Sequence, residues 1–165
     1  MANDVYRANE ASLVLAVDDQ TSEEGKVAAS LVTKYNLSNT IGRLQGVMIT
    51  VVSDLKPFFE IGRRYPTQLG SGNVQTTGTI RRAYINGALL RLLLGDGANS
   101  PPKADFAQPS FNIIATLQDI AHPTVRNKII VFGAKFAQWH YSIPMDDFVM
   151  ESVTFQALRV SYEES

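Results

Sequence analysis

The sequence contains no cysteine, a single tryptophan and two histidines. Without cysteine there is no disulfide, no thiolate metal site and no thiol nucleophile, a composition that suits a reducing compartment. Surplus charge of either sign is missing too: 15 basic residues face 16 acidic ones, for a net charge of −1. Proteins held to DNA through phosphates usually carry a basic excess, so tight, sequence-specific nucleic-acid binding is not expected. No run approaches the roughly 18 consecutive apolar residues of a membrane span. The opening MANDVYRANEAS lacks the basic-then-apolar order of a secretory signal. No membrane partner is expected, and the chain is expected to reside or assemble in the cytoplasm.

What remains is an ordinary globular composition. The 165 residues are 45% apolar and 19% charged, enough for one domain with a real core and unlike a disordered chain. There is no internal repeat and no composition shift that marks a domain boundary.

Most segments read as strands. ASLVLAV (11–17) is a short buried run. The polar DDQTSEEG follows as a turn, and KVAASLVTKY (26–35) is read as a short helix with Val27, Leu31 and Val32 on one face. RLQGVMITVVSD (43–54) is rich in β-branched residues and alternates poorly, which predicts a strand buried on both faces, with Gly46 as a bulge. Pro57 is expected to interrupt it before FFEIG resumes an extended pattern, and GRRYPTQLGSGN reads as turn. VQTTGTIRRAYI (74–85) returns as a strand. NGALLRLLLGDG is the clearest helix, over about 87–94: Asn86 is placed to cap it, Leu89, Leu90, Leu93 and Leu94 share a face, and Gly95 or Gly97 closes it. A loop over 95–110 precedes strands at 111–120, at 128–136 with Trp139 and Tyr141 as an extension, and at 148–162. In the last, Val153, Phe155 and Ala157 alternate inward before the pattern switches faces at Leu158, which signals a bulge or a strand serving two surfaces. The fold class expected is mainly β, an antiparallel sandwich or barrel with one short flanking helix.

Enzymatic motifs are missing. Gly70, Gly72 and Gly78 fall in GSGNVQTTG, which matches neither a dinucleotide fingerprint nor a phosphate loop, and no helix follows to bind phosphate. Arg63–Arg64 and Arg81–Arg82 suit phosphates in principle, but ion pairs, with Glu60 among the partners, are the preferred reading. His122 and His140 have no carboxylate at metal-ligand spacing. The acid pairs Asp18–Asp19, Glu23–Glu24 and Asp146–Asp147 read as solvated loop residues and are too sparse for calcium. No catalytic residue, metal or cofactor is expected, and the chain is not read as an enzyme.

One order of features stands out. RLQGVMITVV is followed by FFEIGRRYPTQLGSGNVQTTGTIRRAYING, a leucine helix, FNIIATL, KIIVFGAKF and MESVTFQALRVSY. This order, with its kernel Glu60–Gly70, resembles the tail tube proteins of tailed bacteriophages, particularly of contractile tails, over residues 43–162. The resemblance implies one tail-tube-like domain over 1–165 with a long inter-strand hairpin around 55–79. It implies hexameric rings that stack into a hollow tube, neighbouring sheets joining around the lumen. The partners implied are further copies of the chain, a sheath outside, a tape-measure protein and double-stranded DNA in the lumen, and baseplate and terminator at the ends. The virion tail is the implied location. On this reading Glu60, Arg63, Arg64, Tyr65, Pro66, Gly70, Gly72, Arg81 and Arg82 are subunit or ring contacts, and the lumen face is polar or acidic. Alternatives are another ring-forming tail component (terminator, hub or initiator), the tube of a non-phage injection machine, or, more remotely, a monomeric ligand-binding β-barrel.

Overall fold

The computed structural model describes residues 5–17, 19–101 and 107–164, the side chains of 96 and 97 excepted. The chain runs β1 (Ala11–Ala16), α1 (Glu23–Lys34), β2 (Leu44–Phe58), β3 (Gln68–Ala83), α2 (Ala88–Leu94), β4 (Phe111–Gln118), β5 (Arg126–Ser142), β6 (Met150–Ala157) and β7 (Arg159–Glu164). All seven strands join one antiparallel sheet in the order β1-β4-β5-β6-β3-β2, with β7 also on β5. The expected mainly β, antiparallel class therefore holds. The correction is in the helices: two flank the sheet rather than one, and α1, at 12 residues, is the longer.

β5 organises the architecture. Its first half bonds to β4 and β7, and its second half, from Lys135, bonds to β6. Between them Gly133 sits at φ +63°, where a Cβ would lie 2.6 Å from the Leu158 side chain. Only glycine suits both constraints, and the sheet bends there. The face switch at Leu158 has the same origin. Residues 148–162 form two strands, β6 and β7, because the chain crosses from one half of β5 to the other, and the Leu158 N–H donates to the Phe132 carbonyl at 2.9 Å. Both halves of the sheet and both helices feed one core, in which Leu15, Ile80, Leu89, Ile113, Val131 and Val153 are wholly buried.

The helices follow from local chemistry. Ser22 caps α1 by accepting the Gly25 N–H at 3.1 Å. Before it, the Asp19 carboxylate accepts the Thr21 hydroxyl at 2.6 Å and the Thr21 N–H at 2.9 Å. Those bonds, the hydroxyl's first, lower its pKa to about 2; its sequence partner Asp18 lies outside the described residues. α2 has only seven residues and depends on burying Ala88, Leu89 and Leu92. Leu94, expected on the buried face, is exposed instead. Asn86 does cap the helix, accepting the Ala88 N–H at 3.1 Å, and Gly95 closes it at φ +58°.

Gly25 carries a prediction against propensity. Alanine normally stabilises a helix interior by about 1 kcal/mol over glycine. Here a Cβ would lie 1.6 Å from the Asp19 carbonyl oxygen, a backbone atom that cannot swing aside. Gly25→Ala should therefore destabilise the protein by about 2 kcal/mol, an overpacking cost, and lower Tm by roughly 4–8 °C. A calorimetric scan showing an unchanged or raised Tm would contradict this.

Candidate functional site, an exposed two-stranded arm

β2 and β3 are far longer than the sheet they belong to. β3 pairs with β6 only from Thr76 to Ala83, while its pairing with β2 continues out to Phe58↔Gln68. Residues 53–75 thus leave the body as an arm of two strands and a connecting loop, about 20 Å long before the loop begins. Pro57 does not interrupt β2 as expected; it pairs with Leu69 inside the strand, because β2 is an edge strand whose outer N–H groups have no ladder partner to lose. Gly70 and Gly72 likewise lie in β3 rather than in a turn. Gly72 faces the bulge at Asp54, where a Cβ would come within 2.7 Å of the Asp54 carbonyl. Gly46 marks a register shift, as read from the sequence.

The expectation that β2 is buried on both faces is overturned for this chain. From Thr50 to Phe58 the strand is exposed throughout, and so is the rest of the arm to Gln75. Phe58 and Phe59 are each 58% exposed and Ile61 fully so; Tyr65, Leu69 and Val74 accompany them. Poor alternation correctly signalled two apolar faces, but none of the described residues covers them. A bare two-stranded ribbon is marginal in water, and apolar surface of this extent marks an interaction site.

The arm's tip is nevertheless ordered. The Thr67 N–H donates to the Phe58 carbonyl at 3.0 Å, the Arg63 N–H to the Glu60 carbonyl at 3.2 Å, and Gly62 takes φ +88° between them. Glu60 also pairs with Arg63 at 3.5 Å and accepts the Thr67 hydroxyl at 3.4 Å. The Glu60–Arg63 ion pair read from the sequence is present, within one arm. Arg64, Tyr65 and Pro66 face solvent beside it, and Arg64 makes no ion pair among the described residues.

Arg81 and Arg82 part company. Arg81 lies exposed on the outer face of β3, while Arg82 is 1% exposed and points into the core. Its guanidinium pairs with Glu151 on β6 and donates to the Ile41 carbonyl at 2.7 Å and to Asn86 Oδ1 at 3.1 Å. The second carboxylate oxygen of Glu151 accepts the Trp139 Nε1–H at 2.9 Å. As a subunit contact Arg82 is therefore corrected: every direction of its fork is occupied inside the fold. Glu151 was missed in the sequence, although it continues the inward alternation of Val153 and Phe155, where a carboxylate demands a cation.

Inward and outward positions of this sheet differ sharply. The residues paired across the face away from the core are Thr50–Thr77–Gln156–Lys135, Met48–Thr79–Thr154–Gln138 and Gly46–Arg81–Ser152–His140. That face is hydroxyl- and amide-rich and holds no carboxylate in these rows. Lys135 is satisfied by Glu24 at 2.9 Å. Among the described residues, two edges of the same region are paired by no strand: the outer side of β2, and β5 beyond Ala137 on the side away from β6.

The remaining polar groups do structural work. Asp119 reaches His122, with Oδ2 2.9 Å from Nδ1, a pairing at three residues' spacing that the sequence reading overlooked; it lowers the Asp119 pKa. Glu23 pairs with Lys26 at 3.4 Å, and Asp147 accepts the Phe148 N–H at 2.7 Å. Among the described residues no three His, Asp or Glu side chains converge as a metal site, and no helix is long and apolar enough to cross a membrane.

No protein-family model matches the chain, and no curated protein matches it by sequence. Solved structures do resemble it. A chain of the PVC sheath-tube complex of an extracellular contractile injection system aligns over 99% of this chain and 94% of its own, with TM-score 0.64 and 14% identity. A chain of the sheath/tube terminator of that system aligns over 99% of both chains, with TM-score 0.65 and 14% identity. The SPP1 tail tube aligns over 98% of this chain and 80% of its own, with TM-score 0.58 and 12% identity.

Proposed function

We propose, from the premise that this chain carries the tail-tube fold, that it is the structural subunit of a hollow tail tube, built from hexameric rings stacked end on end. The observation that carries this reading is the region β2-β3-β6-β5, which combines two free edges with a polar outer face and a projecting apolar arm. The edge of β2 in one copy is suited to extend the sheet of the next at the open side of β5. The two edges differ, so the contact is head-to-tail, the kind that closes into a ring when the rotation allows. The hydroxyl- and amide-rich face then turns to the bore. Threonine, serine and glutamine supply most of its polarity, which suits transit of DNA together with a tape-measure protein. The charged side chains in its rows are Arg81 and Lys135, against the expectation that this face be polar or acidic rather than basic; Glu24 offsets Lys135 at 2.9 Å.

On the same reading the arm bridges to the adjacent ring. Glu60, Arg63, Arg64, Tyr65 and Pro66 form its contacting tip, Gly70 lies in its β3 strand, Gly72 gives that strand clearance at Asp54, and Arg81 lies on the bore side. A sheath packs outside, and baseplate and terminator meet the ends. Assembly proceeds in the cytoplasm of a host cell. A second reading is a tube terminator or cap, and it rests on the likeness to a terminator of the same fold. Negative-stain electron microscopy of concentrated protein, with sizing in parallel, separates these. Hollow tubes or long stacks are expected. Rings that never lengthen favour the terminator, and a strict monomer at every concentration counts against both.

A further inference from the structure

The fold leaves a second apolar feature uncovered, at the opposite end of β2 from the arm tip. A cavity of about 590 Å³ opens between the start of β2 and the β1–β4–β5 half of the sheet. Leu13, Leu44, Ile49, Ala115, Leu117 and Ile129 line it. Leu13, Ala115 and Ile129 stand in one row across three strands and form its floor. Its size lies in the range of pockets that take several bulky apolar groups.

We propose that this groove is the receptor for the arm tip of a second copy of the chain, with Phe59 and Ile61 seated in it. The proposal deepens the tube reading and rests on it. Several observations select this occupant. A chain's own tip cannot fill the groove: the eleven residue steps of β2 from Val47 to Phe58 separate them by about 35 Å at the rise of an extended strand. Because tip and groove sit at opposite ends of one strand, a tip-in-groove contact repeats by translation along that strand, giving an open, non-closing stack. The two surfaces also match in kind. The tip brings exposed Phe58, Phe59 and Ile61, and the groove is lined mainly by aliphatic side chains, with Ser12, Gln45 and Asn127 as its polar members.

Charge agrees. The arm carries Lys56, Arg63 and Arg64 against Asp54 and Glu60, and Arg64 is without an ion pair among the described residues. Beside the groove Glu164 lies opposite the lining residue Asn127 in the β5–β7 register, its carboxylate accepting the Tyr162 hydroxyl at 2.9 Å. Arg64 of the incoming arm meets Glu164 once the aromatic tip is seated.

The absence of cysteine makes the test direct. Ile61→Cys and Ala115→Cys are installed together, the reduced protein is assembled, and the sample is oxidised mildly. Each chain then offers one donor and one acceptor thiol. The expected product is a ladder of covalent multimers on non-reducing gels, reversed by reductant, while either single variant gives dimers at most. A preparation that microscopy shows to be tubes but that yields no ladder overturns the groove assignment and leaves the tube reading intact. An intramolecular disulfide in monomers overturns it as well, and protein that never assembles overturns both. As a second arm, Ala115→Trp, which fills the groove, is expected to reduce sedimentable polymer at least tenfold while rings persist. Wild-type yields of tube from that variant would contradict the proposal.

Discussion

Replacing residues 53–74 by an Asn-Gly turn between Val52 and Gln75 is expected to give a folded chain that has lost the ability to build tubes. Val52 and Gln75 are directly opposite in the β2–β3 register, so a two-residue turn closes the shortened hairpin without strain. Every buried residue of the core lies outside the deleted segment. Its removal therefore takes away exposed apolar surface and no packing. Tm should stay within about 4 °C of the parent, the scale of a 1 kcal/mol change in a domain of this size. Solubility should rise, because the side chains removed include Phe58, Phe59, Ile61, Tyr65 and Leu69, all more than half exposed. Polymer detected by sedimentation and electron microscopy should fall by two orders of magnitude or more. Loss of a few kcal/mol per contact is already a factor of a hundred, and it is multiplied along a stack. Tubes of normal length from the shortened chain would refute the role given to the arm. A shortened chain that fails to fold would show instead that the arm stabilises the body, against the burial pattern.

The second large effect concerns the buried pair Arg82–Glu151. Both side chains are essentially inaccessible, and between them they tie β3, β6, Trp139 of β5, the Ile41 carbonyl and the cap residue Asn86 of α2. Glu151→Ala leaves a guanidinium in the core without its counter-charge, at a cost of about 3–5 kcal/mol. On the scale of a domain this size the Tm should fall by on the order of 10 °C. Removing both charges behaves differently. Arg82→Met with Glu151→Leu eliminates two desolvation penalties along with the attraction, and such replacements are often neutral. The double variant should recover most of the loss, so that the cycle gives a coupling of at least 2 kcal/mol. Denaturant titrations of the four proteins measure it. Equal, additive losses would show that the pair does not act as a unit. Self-assembly of the double variant should persist, since neither side chain reaches the surface.

How much of this was legible beforehand varied with the physics of each segment. β1, α2, β4 and much of β5 were readable because their signals are local: apolar runs, a cap at Asn86, a closing glycine at Gly95. α1 was read from residue 26, and its start at Glu23 and its cap at Ser22 were missed. The break between β6 and β7 showed in the sequence as a change of face at Leu158. Its cause, Gly133 beneath Leu158, is a contact between residues far apart in the chain. Pro57 misled because proline forbids only a ladder bond, and whether one is needed depends on the strand being central or at an edge. Gly70 and Gly72 read as turn although both lie in β3, where Gly72 makes room for Asp54 of the facing strand. The hairpin around 55–79 and its charged and aromatic cluster were singled out in the sequence, but the strand leading into it, residues 43–54, was expected to be buried on both faces, and from Thr50 on it is exposed.

By itself the sequence determined that the chain is β-rich, with neither thiol chemistry nor surplus charge, and that residues 43–85 hold an unusual two-faced hairpin. Periodicity, cap chemistry and composition act over a few residues and leave their mark in order along the chain. Tertiary structure alone decided which of two adjacent arginines is spent in the core, that β2 lies at an edge, and that its apolar faces stand in solvent. Those outcomes depend on which strand lies beside which. A hydrophobic pattern records that a surface will be covered, not whether the atoms that cover it belong to the same chain.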